Sequence, residues 1–415
     1  MMKKIIKYIA VNLSILSLLL MGGVLISSCE RENTDPPQIT NIRSVEPEEA
    51  DIPLEGAGLE SWIVIQGNNL ASTREIYFND FYADFNPAYI TATNIVVQIP
   101  GGTPNLGTDP NAPNQIKVVT EHGEAYFDFI IFPPPAVVSY ISNEFADAGD
   151  TVYLLGLYFF LVDSIIFPGN IPATEFQTTP DGKYCSVVVP EGATSGPLKI
   201  VSAGGVGGSI YGAHYNDPTG MICNFDDLNK WENWGGVVIN TATDNRLPDF
   251  MGNAFLAEAS NIPTGTWWVQ EMAMPIASGL YPNYDTIASP DNVFVKFEMY
   301  VKGPWNSGEY DVRLVKRDAA GEWLDYYSYF LKPWLLDDGS VFDYETTDWV
   351  TVMIPLSEFT LNSTGEALNG FGEIKDFNFF GCYFQNTGLI EGEQNLSFIQ
   401  IGIDNIRMVG WQPME

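Results

Sequence analysis

Val293-Phe294-Val295-Lys296-Phe297-Glu298-Met299-Tyr300-Val301-Lys302 repeats with a period of two. Val293, Val295, Phe297, Met299 and Val301 form one apolar set, and Lys296, Glu298 and Lys302 fall in the other. Only a β-strand sorts neighbours this way. The same alternation recurs from Glu309 to Arg317, Trp323 to Leu331, Phe377 to Phe384 and Phe398 to Met408. Helical spacing is almost missing from residues 216–415. Long antiparallel strands with broad loops predict a jelly-roll β-sandwich there.

Upstream the strands are shorter and come in two matching series. Ser61-Trp62-Ile63-Val64-Ile65-Gln66-Gly67-Asn68-Asn69-Leu70 reads as a strand closed by a glycine turn. Glu75 to Asn79, the proline-ended Asn94 to Pro100, and Gln115 to Thr120 follow, with His122-Gly123 as a hairpin turn before Ala125 to Ile130. After Pro133-Pro134-Pro135 the order returns as Thr151 to Phe159, Ser164 to Gly169, Cys185 to Pro190 and Gly196 to Ser202. Residues 37–133 and 134–215 are therefore an internal repeat, each copy sized for a small Ig-like sandwich. Both resemble IPT/TIG domains. The whole chain is expected to be all-β: two tandem Ig-like sandwiches, then a jelly-roll domain over 216–415. The copies read as spacers, with a ligand-binding role as the alternative.

The N-terminus begins with Lys3, Lys4 and Lys7, followed by an apolar run from Ile9 to Ile26 and then Ser27-Ser28-Cys29. This order predicts a secretory signal over residues 1–28. The run is also long enough to span a bilayer, but its serines and closing cysteine favour cleavage. The small residues before Cys29 resemble a lipobox. That resemblance implies lipidation of Cys29, a tether over residues 29–36, and, with Glu30-Arg31-Glu32, display on the outer-membrane surface.

Removing residues 1–28 takes away three lysines and no acids, leaving 16 Lys+Arg against 52 Asp+Glu, a net charge of −36. Such a surface repels nucleic acid and anionic membrane, so membrane contact is expected through the lipid only. With 13% aromatic and 46% hydrophobic residues, a packed core is expected rather than disorder. Cys185, Cys223 and Cys382 are too few for a disulfide framework and read as buried thiols, with a Cys223–Cys382 pair as the alternative. Histidine is limited to His122 and His214, so triads and histidine metal sites lack raw material.

Nine of the ten tryptophans lie beyond residue 216, which moves the search for a site there. Met221 to Asp227, Asp348 to Phe359 and Ile401 to Met408 resemble the galactose-binding-like jelly roll of carbohydrate-binding modules. With the lipobox and the tandem repeats, the architecture resembles the surface glycan-binding proteins of polysaccharide-utilisation loci. The nearest type is surface glycan-binding protein B, with its xyloglucan-binding C-terminal domain. The resemblance implies a non-catalytic lipoprotein that binds a neutral plant polysaccharide, a xyloglucan-type β-glucan first. It would work beside an outer-membrane glycan transporter and surface glycosidases. No cofactor is implied beyond an optional structural calcium, for which Asp226, Asp227 and Asp404 are the candidate ligands.

A sugar ring stacks its C–H face on an indole or phenol and needs polar partners at its rim. Trp305, in the turn Lys302 to Gly308, is expected to be an exposed platform. Trp334, after Pro333, comes next. Trp267 and Trp268 are adjacent, so one should face the core and one the solvent. Tyr327 and Tyr329 share a face with Trp323 and Asp325; Leu324, Tyr326, Ser328 and Phe330 share the other. The Asp325 face is read as the glycan face, with core packing as its alternative. Trp231 and Trp234 are assigned to a loop or domain junction, and Trp349 and Trp411 to structure.

Two other classes remain open. A jelly-roll hydrolase or lyase needs paired carboxylates; Glu309-Tyr310-Asp311 begins the Glu-x-Asp-x-x-Glu pattern of jelly-roll glucanases, but Leu314 stands in place of the last Glu. An Ig-repeat adhesin would use the tryptophans as protein hot spots.

Overall fold

The computed structural model describes residues 34–49, 51–210, 212–227, 235–276, 289–374, 377 and 379–410. Cys29, Trp231, Trp234 and Trp411 lie outside the described residues. The chain is nearly all β, in two compact units divided between Pro133 and Pro134.

The first unit packs a three-stranded sheet (Gln38–Ser44, Trp62–Asn68, Asn94–Gln98) over a four-stranded one (Phe81–Tyr82, Thr73–Phe78, Gln115–Thr120, Gly123–Asp128). Ile63, Ile65, Phe78, Val97 and Ile116 fill the space between them. The repeat seen in sequence has a steric cause. A β-carbon at Gly67 would collide with the Gln38 carbonyl, and one at Gly156 with the Val137 carbonyl. In both copies the first strand slips register at that point, between Ile39 and Asn41 and between Val138 and Tyr140. Only glycine leaves room for such a bulge.

The second unit holds two cores. Val138, Val152, Leu154, Phe167 and Cys185 fill the second Ig-like copy. Beyond it lies an antiparallel sandwich. Its back sheet orders Val237–Asn240, Asn253–Ile262, Leu396–Gly410, Val293–Lys302 and Val350–Pro355, with Met221–Cys223 also paired to the 396–410 strand. Its front sheet orders Thr266–Ile276, Phe379–Asn386, Glu309–Arg317, Trp323–Leu331 and Thr360–Leu361. The apolar set of strand 293–302 points between the sheets, with Tyr310, Val312, Leu314, Phe380, Cys382 and Phe384 facing it. Cys185, Cys223 and Cys382 are buried, and none of them is in a disulfide.

A period-two strand ordinarily turns its polar set to water. Here Lys296 and Glu298 are fully buried, because the second Ig-like copy covers the back sheet. Glu144 of that copy pairs with the Lys296 ammonium and reaches Arg407 at 2.8 Å. Arg407 makes a two-pronged contact with Glu298 at 2.7 and 2.8 Å and lies over the Phe145 ring. Thr351 ties in three ways: its hydroxyl donates to Glu298 and accepts from the Glu144 amide, and its carbonyl accepts from the Tyr140 hydroxyl. Burial pulls the Lys296 ammonium down and pushes the Glu298 carboxyl up. Burial also opposes the Arg407 charge, but Glu298 and Glu144 outweigh it and raise the guanidinium further. Phe145 completes the seam, packing with Leu247, Phe250 and Trp349. Residues 134–215 and the sandwich keep separate cores, and this buried seam joins them into one compact unit.

Candidate functional site

The outer surface of the front sheet is the candidate. On its central strand Tyr310, Val312 and Leu314 point inward, so Glu309, Asp311, Arg313 and Arg317 belong to the outer register. Pairing brings Tyr383 and Phe330 opposite Asp311, Gly381 and Ser328 opposite Arg313, and Tyr326 opposite Val315. Trp323 pairs with Arg317 because the register slips between Lys316 and Arg317, skipping Leu324. That bulge moves Trp323 onto the same face as Tyr326, where strict alternation puts it on the other.

The result is an aromatic cluster in which Trp268 is exposed, Trp323 and Tyr326 are half-buried, and Tyr383 lies buried beneath them. The Trp268 and Tyr383 rings lie 4.6 Å apart at 37°, Trp323 and Tyr383 5.4 Å apart at 64°, and Trp323 and Tyr326 6.2 Å apart at 70°. Arg313 threads between them, its guanidinium 4.1 Å from the Tyr326 centroid and 4.9 Å from that of Tyr383. Its Nε donates to Asp311 at 2.6 Å. Gly381 makes the arrangement possible: a β-carbon there would sit 3.0 Å from the Tyr383 ring.

Asp311 is wholly buried beneath this surface, and burial raises its carboxyl although Arg313 acts against it. Asp311 Oδ1, Ser328 Oγ and Tyr383 Oη have no hydrogen-bond partner among the described residues. Buried polar atoms are ordinarily satisfied; these three lie beneath the rings, and Asp311 serves to hold Arg313 in place above them. Glu309 accepts from Gln385 at 2.6 Å, and burial raises its carboxyl. Beside Trp268 a groove of about 600 Å³ opens along strands 253–262 and 266–276, lined also by Glu258, Asn261, Glu271 and Phe398.

The residues expected from sequence separate into two groups. Trp267 and Trp268 are both open to water, at 63% and 41% exposure, not one in and one out. Strand 266–276 slips against strand 379–386 between Thr266 and Val269 and again before Met274, so alternation lapses there. Trp305 and Trp334 are corrected: both are fully buried. Trp305 sits in a turn, but the segment carrying Tyr344 bridges across it, with backbone bonds of 3.1 and 3.0 Å in both directions. Tyr310, Tyr344 and Phe384 surround its ring. Tyr327 is also corrected to the core, its hydroxyl donating to Glu373 at 2.9 Å. Tyr329 is half-buried and packs against Phe359, so the Asp325 face is the inward one.

Sequence reasoning misses Tyr326, Arg313 and Tyr383 as site residues, and places Trp323 on a candidate glycan face but with the wrong neighbours, Asp325, Tyr327 and Tyr329. A signal for Tyr383 is present: Phe380, Cys382 and Phe384 are the apolar register, which leaves Gly381, Tyr383 and Gln385 outside. Trp349 stacks on Phe250 at 4.7 Å and is buried. Asp226 accepts from the Asn253 amide at 3.1 Å and its side chain at 2.7 Å, and Asp404 accepts from the Asn405 amide at 2.7 Å. Among the described residues no His, Cys, Asp or Glu cluster could hold a metal ion.

Residues 215–410 match the family model of the surface glycan-binding protein B xyloglucan binding domain. The match covers 196 of the 415 residues, a little under half of the chain. An IPT/TIG domain-containing protein of Bacteroides ovatus is 29% identical over 176 residues, 42% of this chain and 36% of that protein. The chain therefore spans about a third of the length of the curated relative it matches. The solved structure of surface glycan-binding protein PbSGBP-B from Prevotella bryantii aligns at a TM-score of 0.58 with 22% identity, covering 90% of this chain and 98% of that one. Its fold is shared. The SGBP-B from a complex xyloglucan utilization locus in Bacteroides uniformis aligns at 0.49 with 17% identity, covering 90% and 99%.

Proposed function

We propose that this chain is a non-catalytic cell-surface lipoprotein, anchored through Cys29 in the outer membrane, that holds a neutral plant polysaccharide against the front sheet of its C-terminal sandwich. The observation that carries the reading is the Trp268–Tyr383–Trp323–Tyr326 cluster, threaded by Arg313, within the segment that matches the xyloglucan-binding family model. Trp267 extends its exposed aromatics. The flat rings suit the C–H faces of β-linked glucose, and Arg313, held by Asp311, supplies a hydrogen-bond donor beside them. An acidic chain is no obstacle to an uncharged polymer. A xyloglucan-type β-glucan is favoured, passed on to a neighbouring transporter and surface glycosidases.

A hydrolase is the second reading, because Glu309 and Asp311 share the outer register and both have raised carboxyls. Against it, Asp311 is tied to Arg313 and Leu314 points into the core. Native electrophoresis in gels containing soluble xyloglucan, mixed-linkage β-glucan or galactomannan tests both. Expected are retardation by at least one glycan, a marked weakening of it in a Trp268→Ala/Trp323→Ala variant, and no new reducing ends. Wild-type retardation in that variant would remove the front sheet from the proposal, and new reducing ends would make the protein an enzyme.

A further inference from the structure

The first unit carries an aromatic row of its own. In its four-stranded sheet, Tyr82 lies opposite Tyr77, Tyr77 opposite Lys117, and Lys117 opposite Tyr126. Ile76, Phe78, Ile116, Val118 and Ala125, the strand neighbours of these residues, fill the core, so the row faces outward. It crosses four strands, about 14 Å at the usual strand spacing.

Tyr77 and Tyr126 are held along their strands, and Tyr82 stands at 73° to Tyr77. The Tyr77 hydroxyl donates to Glu75 at 2.8 Å and the Tyr126 hydroxyl to Glu124 at 2.6 Å, each two residues back on its own strand. That reach aligns each ring with its strand and turns one face outward. Tyr82 and Tyr126 are 47% and 52% exposed. The Lys117 ammonium sits 4.2 Å from the Tyr77 centroid, and Tyr82 meets Tyr77 edge-on at 5.8 Å.

The surroundings select the occupant. Glu75, Glu124 and Asp128 flank the row, so phosphorylated, sulfated or uronic polymers are repelled. Lys117, the cation within the row, is spent on a ring. Glu75, Gln115, Glu124 and Asp128 share the outer register with the rings, so their surroundings are hydrated rather than the apolar core of a protein interface. Stacking faces and carboxylate acceptors match a chain that is uncharged, rich in hydroxyls and apolar on its ring faces.

We propose that the Tyr82–Tyr77–Lys117–Tyr126 row is a second glycan-binding surface, for a neutral polysaccharide, independent of the front sheet. It rests on the reading of the chain as a glycan binder. The row is shallow and holds a polymer more weakly than the front sheet does.

The test uses the full chain carrying Trp268→Ala/Trp323→Ala, in gels of xyloglucan, mixed-linkage β-glucan and galactomannan. Hydroxyl-radical footprinting of Tyr82 and Tyr126 accompanies it, with and without each polysaccharide. Residual retardation is expected in one gel, reduced about threefold or more by adding Tyr82→Ala and Tyr126→Ala, with both tyrosines protected by that glycan. Absence of residual retardation and of protection overturns the second surface and leaves the front-sheet reading intact. Loss of retardation without protection also overturns it, since the substitutions then act through the fold. A row that serves a protein partner leaves both readouts flat, which overturns the second surface as well. Full retardation of the Trp268→Ala/Trp323→Ala chain that the tyrosine changes do not touch overturns both readings.

Discussion

The indole N–H groups of Trp305 and Trp334 converge on one acceptor, the Gly308 carbonyl, at 3.4 and 2.6 Å. One peptide group thereby locks two of the largest core side chains at the start of strand 309–317. Trp334→Ala is expected to destabilise the protein by about 3–5 kcal/mol, since it leaves a cavity and weakens a buried acceptor. Urea denaturation measures the loss. Glycan retardation of the folded variant should match wild type; a folded variant that no longer binds would return the ring to the site.

Gly381→Ala sets a β-carbon against the Tyr383 ring at 3.0 Å. Tyr383 is the hub between Trp268 and Trp323, so its displacement should weaken glycan binding about tenfold. The core side of that strand is untouched, and the stability cost should stay near 1–3 kcal/mol. Calorimetric titration with a xyloglucan oligosaccharide gives the affinity. An unchanged Kd would mean the ring plays no part.

Glu144 spans the seam between the second Ig-like copy and the sandwich. Glu144→Ala strands Lys296 in a buried site and leaves Arg407 to Glu298 alone, at an expected cost of about 3–5 kcal/mol. Scanning calorimetry of the full chain should show the loss. The double variant Glu144→Ala/Lys296→Met should recover part of it, because the uncompensated ammonium is gone. A cost under about 1 kcal/mol would show that the quartet does not hold the seam.

Asp404 is buried, and desolvation raises its carboxyl well above its ordinary value, with Glu298 and Asp226 adding to the rise. A raised carboxyl binds its proton more tightly in the folded state. Its contribution is complete below the unfolded carboxylate range near pH 4 and is lost as pH climbs through the folded value. Asp404→Asn keeps an acceptor for the Asn405 amide and removes the titration. The variant should therefore gain stability relative to wild type as pH rises from 4 to 8. Parallel melts across that range measure the difference, and a constant gap between the two proteins would contradict the assignment.

Period-two patterning made the sandwich and both Ig-like copies legible, and the glycine-closed strands marked the repeat, because Gly67 and Gly156 answer a steric demand that no other residue meets. The site was less legible. Its face depends on the bulge beside Leu324 and on the slips in strand 266–276, and one skipped residue reverses inside and outside for everything before it. Trp305 misleads because a turn is normally wet, and only a distant segment, around Tyr344, closes over it. Lys296 and Glu298 look like ordinary solvent-side charges until Glu144, 152 residues from Lys296, arrives to cover them.

With Glu144 and its neighbours covering part of the back sheet, the front sheet is the open aromatic side of the sandwich among the described residues, a plateau rather than a tunnel. A polymer laid across a plateau needs no free terminus to enter. Such a grip engages a strand anywhere along its contour, so the number of landing sites grows with the length of the molecule instead of the number of its ends.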